Sequence, residues 1–285
     1  MRRHVDFLLT VAFLAAAFSV HAQGTFIDLV KIGTPQAIDM AIDKGAQVNT
    51  PDNHGKTPLM YAAQYNQDPD VIATLLRAGA SIRSRGKDDL TPLMFAALHN
   101  SNPEVIRALL KGGADPSARA KRAETALTLA AATNPNPQVI GALLEAGADI
   151  NTRNDGGYTS LMAAAAANPN RDVVPILLKA GANIEEHDKL GTTPLMLAAE
   201  FNSPRMIVVL LAAGADINAR DKGGETPLAY AVWQNPNPEV VVTLLGVGAD
   251  AKAKDKAGKI PFDYMQKNPK LKNTEAYMQL QKASQ

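Results

Sequence analysis

The chain has 285 residues, 46% of them hydrophobic but only 5% aromatic, with 29 Lys and Arg against 28 Asp and Glu and no Cys. Near-balanced charge gives no support to wholesale nucleic-acid binding, and the lack of Cys excludes disulfides, thiol catalysis and thiolate metal sites together. Small cores built of Ala and Leu fit this profile, and a chain built from them need not divide into globular domains by length alone.

At the start, Arg2 and Arg3 precede an uncharged stretch from Phe7 to Val20, and Val20-His21-Ala22 supplies small residues where a signal peptidase reads. Residues 1–22 are therefore expected to be a secretory signal peptide cleaved after Ala22, which places the mature protein in the periplasm or outside the cell. The apolar stretch falls short of the roughly 20 residues a spanning helix needs, so no membrane span is expected after cleavage. No Cys follows it, which excludes a lipoprotein anchor, and its removal leaves equal numbers of basic and acidic residues.

Residues 23–285 read as one repeat array. A shortened unit, residues 24–56, opens it as an N-terminal cap: Thr25 starts a helix carrying Phe26, Ile27, Leu29, Val30 and Ile32, Gly33 stops it, and Thr34-Pro35 starts a second helix that Gly45-Ala46 ends. Six full repeats follow over residues 57–259. The phrase Thr57-Pro58-Leu59-Met60 returns at Thr91, Thr125, Thr159, Thr193 and Thr226, at steps of 34 four times and 33 once. A fixed period of this size means stacked supersecondary units.

Each repeat carries four punctuation marks. The Thr is an N-cap and the Pro after it, lacking an N–H, suits the first helical position. Nine residues on stands Asn66, Asn100, Asn134, Asn168, Asn202 or Asn235, expected to close the first helix in the left-handed conformation that Asn tolerates. None of the six is followed two places later by Ser or Thr, so glycosylation is set aside. Next come Asp68-Pro69, Asn102-Pro103, Asn136-Pro137, Ser203-Pro204 and Asn237-Pro238, with Asn170-Arg171 in the fifth helix pair, each starting a second helix. That helix buries pairs such as Val71 and Ile72 with Leu75 and Leu76, and Gly79, Gly113, Gly147, Gly181, Gly214 or Gly248 ends it. The 33-residue step falls between Glu200 and Pro204, where the connection has lost one residue. A short extended stretch and a polar turn then lead to the next Thr. The last unit, residues 260–285, is lysine- and glutamine-rich and fits a C-terminal cap with no neighbour beyond it.

A helix–loop–helix–loop unit of this period, opening with Thr-Pro-Leu and closing with Leu-Leu, two variable residues and Gly-Ala, resembles the ankyrin repeat from about Gly24 to Gln281. The resemblance implies an all-α repeat solenoid in which first helices line a concave surface, second helices form the back, and β-hairpin-like fingers project from the first-helix side. Two departures stand out. The family's His after Thr-Pro-Leu is Met60, Met94, Thr128, Met162, Met196 or Ala229 here, so its buried hydrogen bonding is expected to be absent, and the family's Gly after the first helix is Asn. With the signal peptide, these look like an exported, bacterial variety.

No chemistry of an active site emerges. His54, His99 and His187 stand at different phases of the repeat, Asp149-Ile150-Asn151 and Asp216-Ile217-Asn218 lack the glycine and third ligand of a calcium loop, and there is no nucleophile elbow or phosphate loop. No enzyme activity, cofactor or metal is expected. Surface positions that the fold does not dictate are the place for binding. At the first-helix ends these include Tyr65, Leu98, His99, Phe201 and the single tryptophan, Trp233. Along the fingers they include Lys87, Lys121, Arg122, Lys189 and Lys222, with Lys56, Lys256 and Lys259 at the same phase and Tyr158, Leu90 and Leu190 as apolar tips. This basic edge, set against Asp88, Glu124, Asp155 and Glu225, points to an acidic partner surface.

The expected function is that of a non-enzymatic, monomeric scaffold for a protein partner, without nucleic acid. The competing readings are an accessory protein of a periplasmic enzyme, in a cofactor or stability role, and a self-associating envelope protein. In the array, Leu76→Ala is expected to open a buried cavity and Gly147→Val to uncouple neighbours near the middle.

Overall fold

The computed structural model describes residues 25–285; the expected signal peptide, residues 1–22, lies outside them. The chain divides after Lys121 into two compact units, each a stack of short helix pairs, and no strand occurs among the described residues. The first unit holds α1 (residues 25–32), α2 (Pro35–Asp43), α3 (Pro58–Tyr65), α4 (Pro69–Arg77), α5 (Pro92–His99) and α6 (Pro103–Lys111). There α3 packs on α5, and α4 lies between α2 and α6. The second unit holds α7 (Ala126–Thr133), α8 (Pro137–Glu145), α9 (Ser160–Ala167), α10 (Val173–Lys179), α11 (Pro194–Phe201), α12 (Pro204–Ala212), α13 (Pro227–Gln234), α14 (Pro238–Gly246) and α15 (Glu275–Ser284). Helices α7, α9, α11 and α13 form one row, which a 3₁₀ segment, Pro261–Lys267, extends; α8 packs on α10, α12 on α14, and α15 on α14.

Local rules set the helix starts. Thr57, Thr91, Thr125, Thr159, Thr193 and Thr226 are extended, and each hydroxyl accepts the N–H three residues on. The hydrogen bonding expected to be lost at the family's His position is partly kept. Met60, Met94 and Met196 each bring Sδ to 3.4 Å from the N–H of their own cap threonine, and the Thr128 hydroxyl does the same at 2.8 Å. A thioether is a weak acceptor, yet it reciprocates the cap as Glu does in a capping box.

The asparagines correct a second expectation. Asn66, Asn100, Asn134, Asn168, Asn202 and Asn235 are extended, not left-handed. Their side chains face inward and bridge repeats: Asn168 Nδ2 donates to Ala131 O at 2.7 Å and to Asn134 O at 3.0 Å, while its Oδ1 accepts the Asn170 N–H at 2.8 Å. Asn66, Asn100, Asn202 and Asn235 make the corresponding pairs, and so does Asn268 in the last unit. Their targets are the closing carbonyls of the preceding first helix and its connection, which lack helical partners. In the shortened repeat, Asn202 Oδ1 reaches the adjacent Ser203 N–H instead of the residue two on.

The second helices start where expected except α10. Asn170 still accepts the Asp172 N–H, but without a proline to fix the first turn the helix begins at Val173. The phase of the Leu-Leu pair also needs correction. Leu75 is fully buried, whereas Leu76 is only half-buried and lies against Gly112, so Leu76→Ala opens no sealed cavity. The terminating glycines do carry positive φ, Gly147 among them at +85°, with nothing within 4 Å of an added Cβ. Gly147→Val is therefore expected to cost about 1–3 kcal/mol from backbone strain alone, read as a lowered urea midpoint; an unchanged midpoint would contradict it.

Candidate functional site

Four of the finger turns are built on one carboxylate each, and Asn154 takes that place in another. Asp52, Asp188, Asp221 and Asp255 accept backbone N–H groups two and four residues on at 2.8–2.9 Å. The second oxygen of three of them accepts a tyrosine hydroxyl nine residues later: Tyr61 to Asp52 at 2.6 Å, Tyr230 to Asp221 at 2.8 Å, and Tyr264 to Asp255. Burial first, and then this hydrogen bond, push the Tyr61 hydroxyl up to about 12 and raise that of Tyr264. The recurring nine-residue spacing of Asp and Tyr is the signal in the sequence that goes with this bond. Successive fingers are tied by arginine: Arg85 donates to Asp89 O and Arg119 O, Arg153 to Gly157 O and His187 O, and Arg220 to Gly224 O and Lys254 O, at 2.6–3.2 Å.

The basic edge is less free than its composition implies. Lys87, Lys121, Arg122, Lys189 and Lys222 are all exposed. Lys121, however, pairs with Asp88 at 3.1 Å, and the ammonium groups of Lys189 and Lys222 donate to Asp155 O and Lys189 O at 2.6 and 2.7 Å. These lysines fasten one finger to the next. Three of the five cations are thus engaged within the array, which leaves fewer of them free to meet an acidic partner.

Lys56 leaves the edge altogether. Its ammonium lies 4.0 Å from the Tyr61 ring centre, 4.5 Å from Phe95 and 5.2 Å from Tyr65, and donates to Gln64 Oε1. Three rings at cation–π range and an amide oxygen make a complete ammonium cage, filled by the chain's own lysine. Burial pushes the Lys56 ammonium down to about 8, with Asp52 opposing and Lys31 adding to the shift. Burial, and then Lys56, also hold the His99 imidazole below its ordinary value.

At the first-helix ends, Tyr65 is 50% exposed and stacks on Tyr61, Phe201 is 59% exposed, and Trp233 is 39% exposed with its ring 6.0 Å from Tyr264. His99 is exposed, while Leu98 and Tyr158 are half-buried. Tyr65, Leu98 and His99 lie in the first unit; Tyr158, Phe201 and Trp233 lie in the second. Glu200, beside Phe201, is 8% exposed, and burial alone pushes its carboxyl up to about 7. In the sequence Glu200 stands out only as the start of the shortened connection. Among the described residues, no group of three or more His, Asp or Glu stands ready to hold a metal ion, and no helix is long and apolar enough to cross a membrane.

Comparison with known proteins agrees with this architecture. The family model for ankyrin repeats in three copies matches residues 61–154, 93–188 and 161–255. Among solved structures, the human ASB11 ankyrin repeat domain superposes with a TM-score of 0.68 at 24% identity, covering 80% of this chain and 98% of that one, a likeness of fold. A search of curated proteins gives no significant match.

Proposed function

The chain belongs to the ankyrin-repeat family, and from that we propose that it is a non-enzymatic scaffold holding a protein partner against its first-helix ends and finger turns after export from a bacterial cytoplasm. Ankyrin repeats in general mediate protein–protein interaction, and an array of short helix pairs offers a surface where a catalytic cavity would need enclosure. The observation that carries the reading is the exposure of Phe201 and Trp233 in one unit and Tyr65 in the other, large apolar groups at positions whose exposure the core does not require. The leader sequence supplies the site of action, the periplasm or the medium, and the scaffold acts as a monomer.

One experiment tests both parts. The full chain, expressed with its leader and a C-terminal tag, is recovered from the periplasmic fraction, its N-terminus is read, and co-purifying protein is identified. The mature chain is expected to begin at Gln23. Phe201→Ala with Trp233→Ala is expected to abolish capture of that protein while moving the melting midpoint by only a few degrees. Capture unchanged in the double variant would overturn the docking surface; an intact N-terminus in the cytoplasmic fraction would overturn export.

A further inference from the structure

Resting on the protein-binding reading above, the inference concerns what the partner brings to the second unit. We propose that Glu200 and its ring neighbours form a vacant ammonium cage that receives a lysine side chain of the protein partner. The chain itself supplies the template. Counted from the capping threonine, the filled cage of the first unit places Lys56 one residue before, Gln64 seven after, Tyr65 eight after, and Phe95 four after the next threonine. The same places around Thr193 hold Thr192, Glu200, Phe201 and Tyr230.

Two of the three rings are kept, the third, Tyr61, four after its threonine, being Leu197 here, and the amide acceptor has become a carboxylate. The residue that supplied the ammonium has become a threonine, whose hydroxyl lies 3.4 Å from Tyr230 Oη. The cage has therefore gained an ionisable carboxyl and lost the cation that filled it.

Glu200 is more than nine-tenths buried, yet it accepts no hydrogen bond and joins no ion pair among the described residues, of which Lys31–Asp28, Arg107–Glu104, Lys121–Asp88 and Arg153–Glu186 are examples. A carboxylate so placed is costly unless a cation or donors complete it. Its edge still reaches the surface, because among the described residues the one fully sealed side-chain oxygen without a partner is the Ser160 hydroxyl. Behind burial, its charge is among the causes that raise the hydroxyls of Tyr158, from the preceding finger, and Tyr230, from α13, and a phenol supplies no cation. Asp188, 6% exposed, acts on the same Tyr158 and adds a second negative charge. Phe201, at the place of Tyr65, leaves its face open to solvent. A buried carboxylate next to Phe201 in the chain, close enough to act on Tyr230 and open at one side, fits an alkylammonium, whose charge meets Glu200 while its stem covers Phe201.

The test uses the mature chain and Nα-acetyl-lysine methylamide as probe, followed by the fluorescence of Trp233, the one tryptophan, and by the carboxyl resonance of Glu200. The wild type is expected to bind the probe saturably and to ignore the norleucine analogue. Glu200→Gln, which keeps shape and fold, is expected to weaken binding at least tenfold. Thr192→Lys, which refills the cage from within, is expected to abolish it. Equal binding of norleucine, preference for the arginine analogue, or unaltered binding by Glu200→Gln would overturn the proposal. Where the lysine probe behaves as expected but the Phe201 and Trp233 double variant keeps its partner, the cage stands and the docking reading falls. Where capture is lost but the probe ignores the cage, the docking reading stands and the cage falls.

Discussion

Asn168→Ala is expected to destabilise the second unit by about 2–6 kcal/mol, because truncation leaves two buried backbone carbonyls without that donor at about 1–3 kcal/mol each. The side chain is fully buried and binds Ala131 O, Asn134 O and the Asn170 N–H. The residue four places after Ala131 is Pro135, which has no N–H to offer that carbonyl, so the helix cannot repair the loss by lengthening. Asn168→Asp, which keeps the acceptor but aims a carboxylate at two carbonyls, is expected to cost at least as much. Urea unfolding followed by circular dichroism measures both. A loss below about 1 kcal/mol for the alanine variant, within the range of a single exposed hydrogen bond, would show that the bridge between repeats is not structural.

Leu75→Ala is expected to cost about 2–5 kcal/mol, the range for a leucine deleted from a sealed core, and Leu76→Ala clearly less. Leu75 is 0% exposed and packs beside Val71, Ile72 and Thr74 on the inner side of α4, while Leu76 sits at the margin against Gly112. The paired denaturation midpoints decide the helical phase directly, since equal losses would place both leucines in the core.

Much of the fold was legible because its signals are local. Thr57 and its five counterparts cap helices through N–H groups three residues away, and Gly147 and its counterparts take a backbone conformation that only the missing Cβ makes easy. What failed to show involves partners a repeat away. Asn66 and its counterparts have the right composition for a left-handed cap, but their side chains bind carbonyls 33 to 37 residues earlier, and no local rule reports that. Lys56 has the address of a finger tip, yet rings from two successive repeats draw it inward. The late start of α10 came from a lost proline that the sequence displayed, but whose consequence for the first turn depends on how firmly Asn170 holds it. At the candidate surface, the exposure of Phe201 and Trp233 followed from their phase. The isolation of Glu200 did not, since it depends on where the cations of neighbouring elements, Arg205 of α12 among them, reach rather than on their presence in the sequence.

In the second unit the asparagine bridges form a series in which each acceptor belongs to the donor before it: Asn168 binds Asn134 O, Asn202 binds Asn168 O, Asn235 binds Asn202 O and Asn268 binds Asn235 O. Excising the 33 or 34 residues from one asparagine to the next would bring the following side chain to an identical carbonyl, and the series would close as before. Excising half that length would leave one donor and one acceptor facing the wrong helix. The array is thus editable in whole repeats, and its length can grow or shrink by duplication or deletion without any single bridge having to be reinvented.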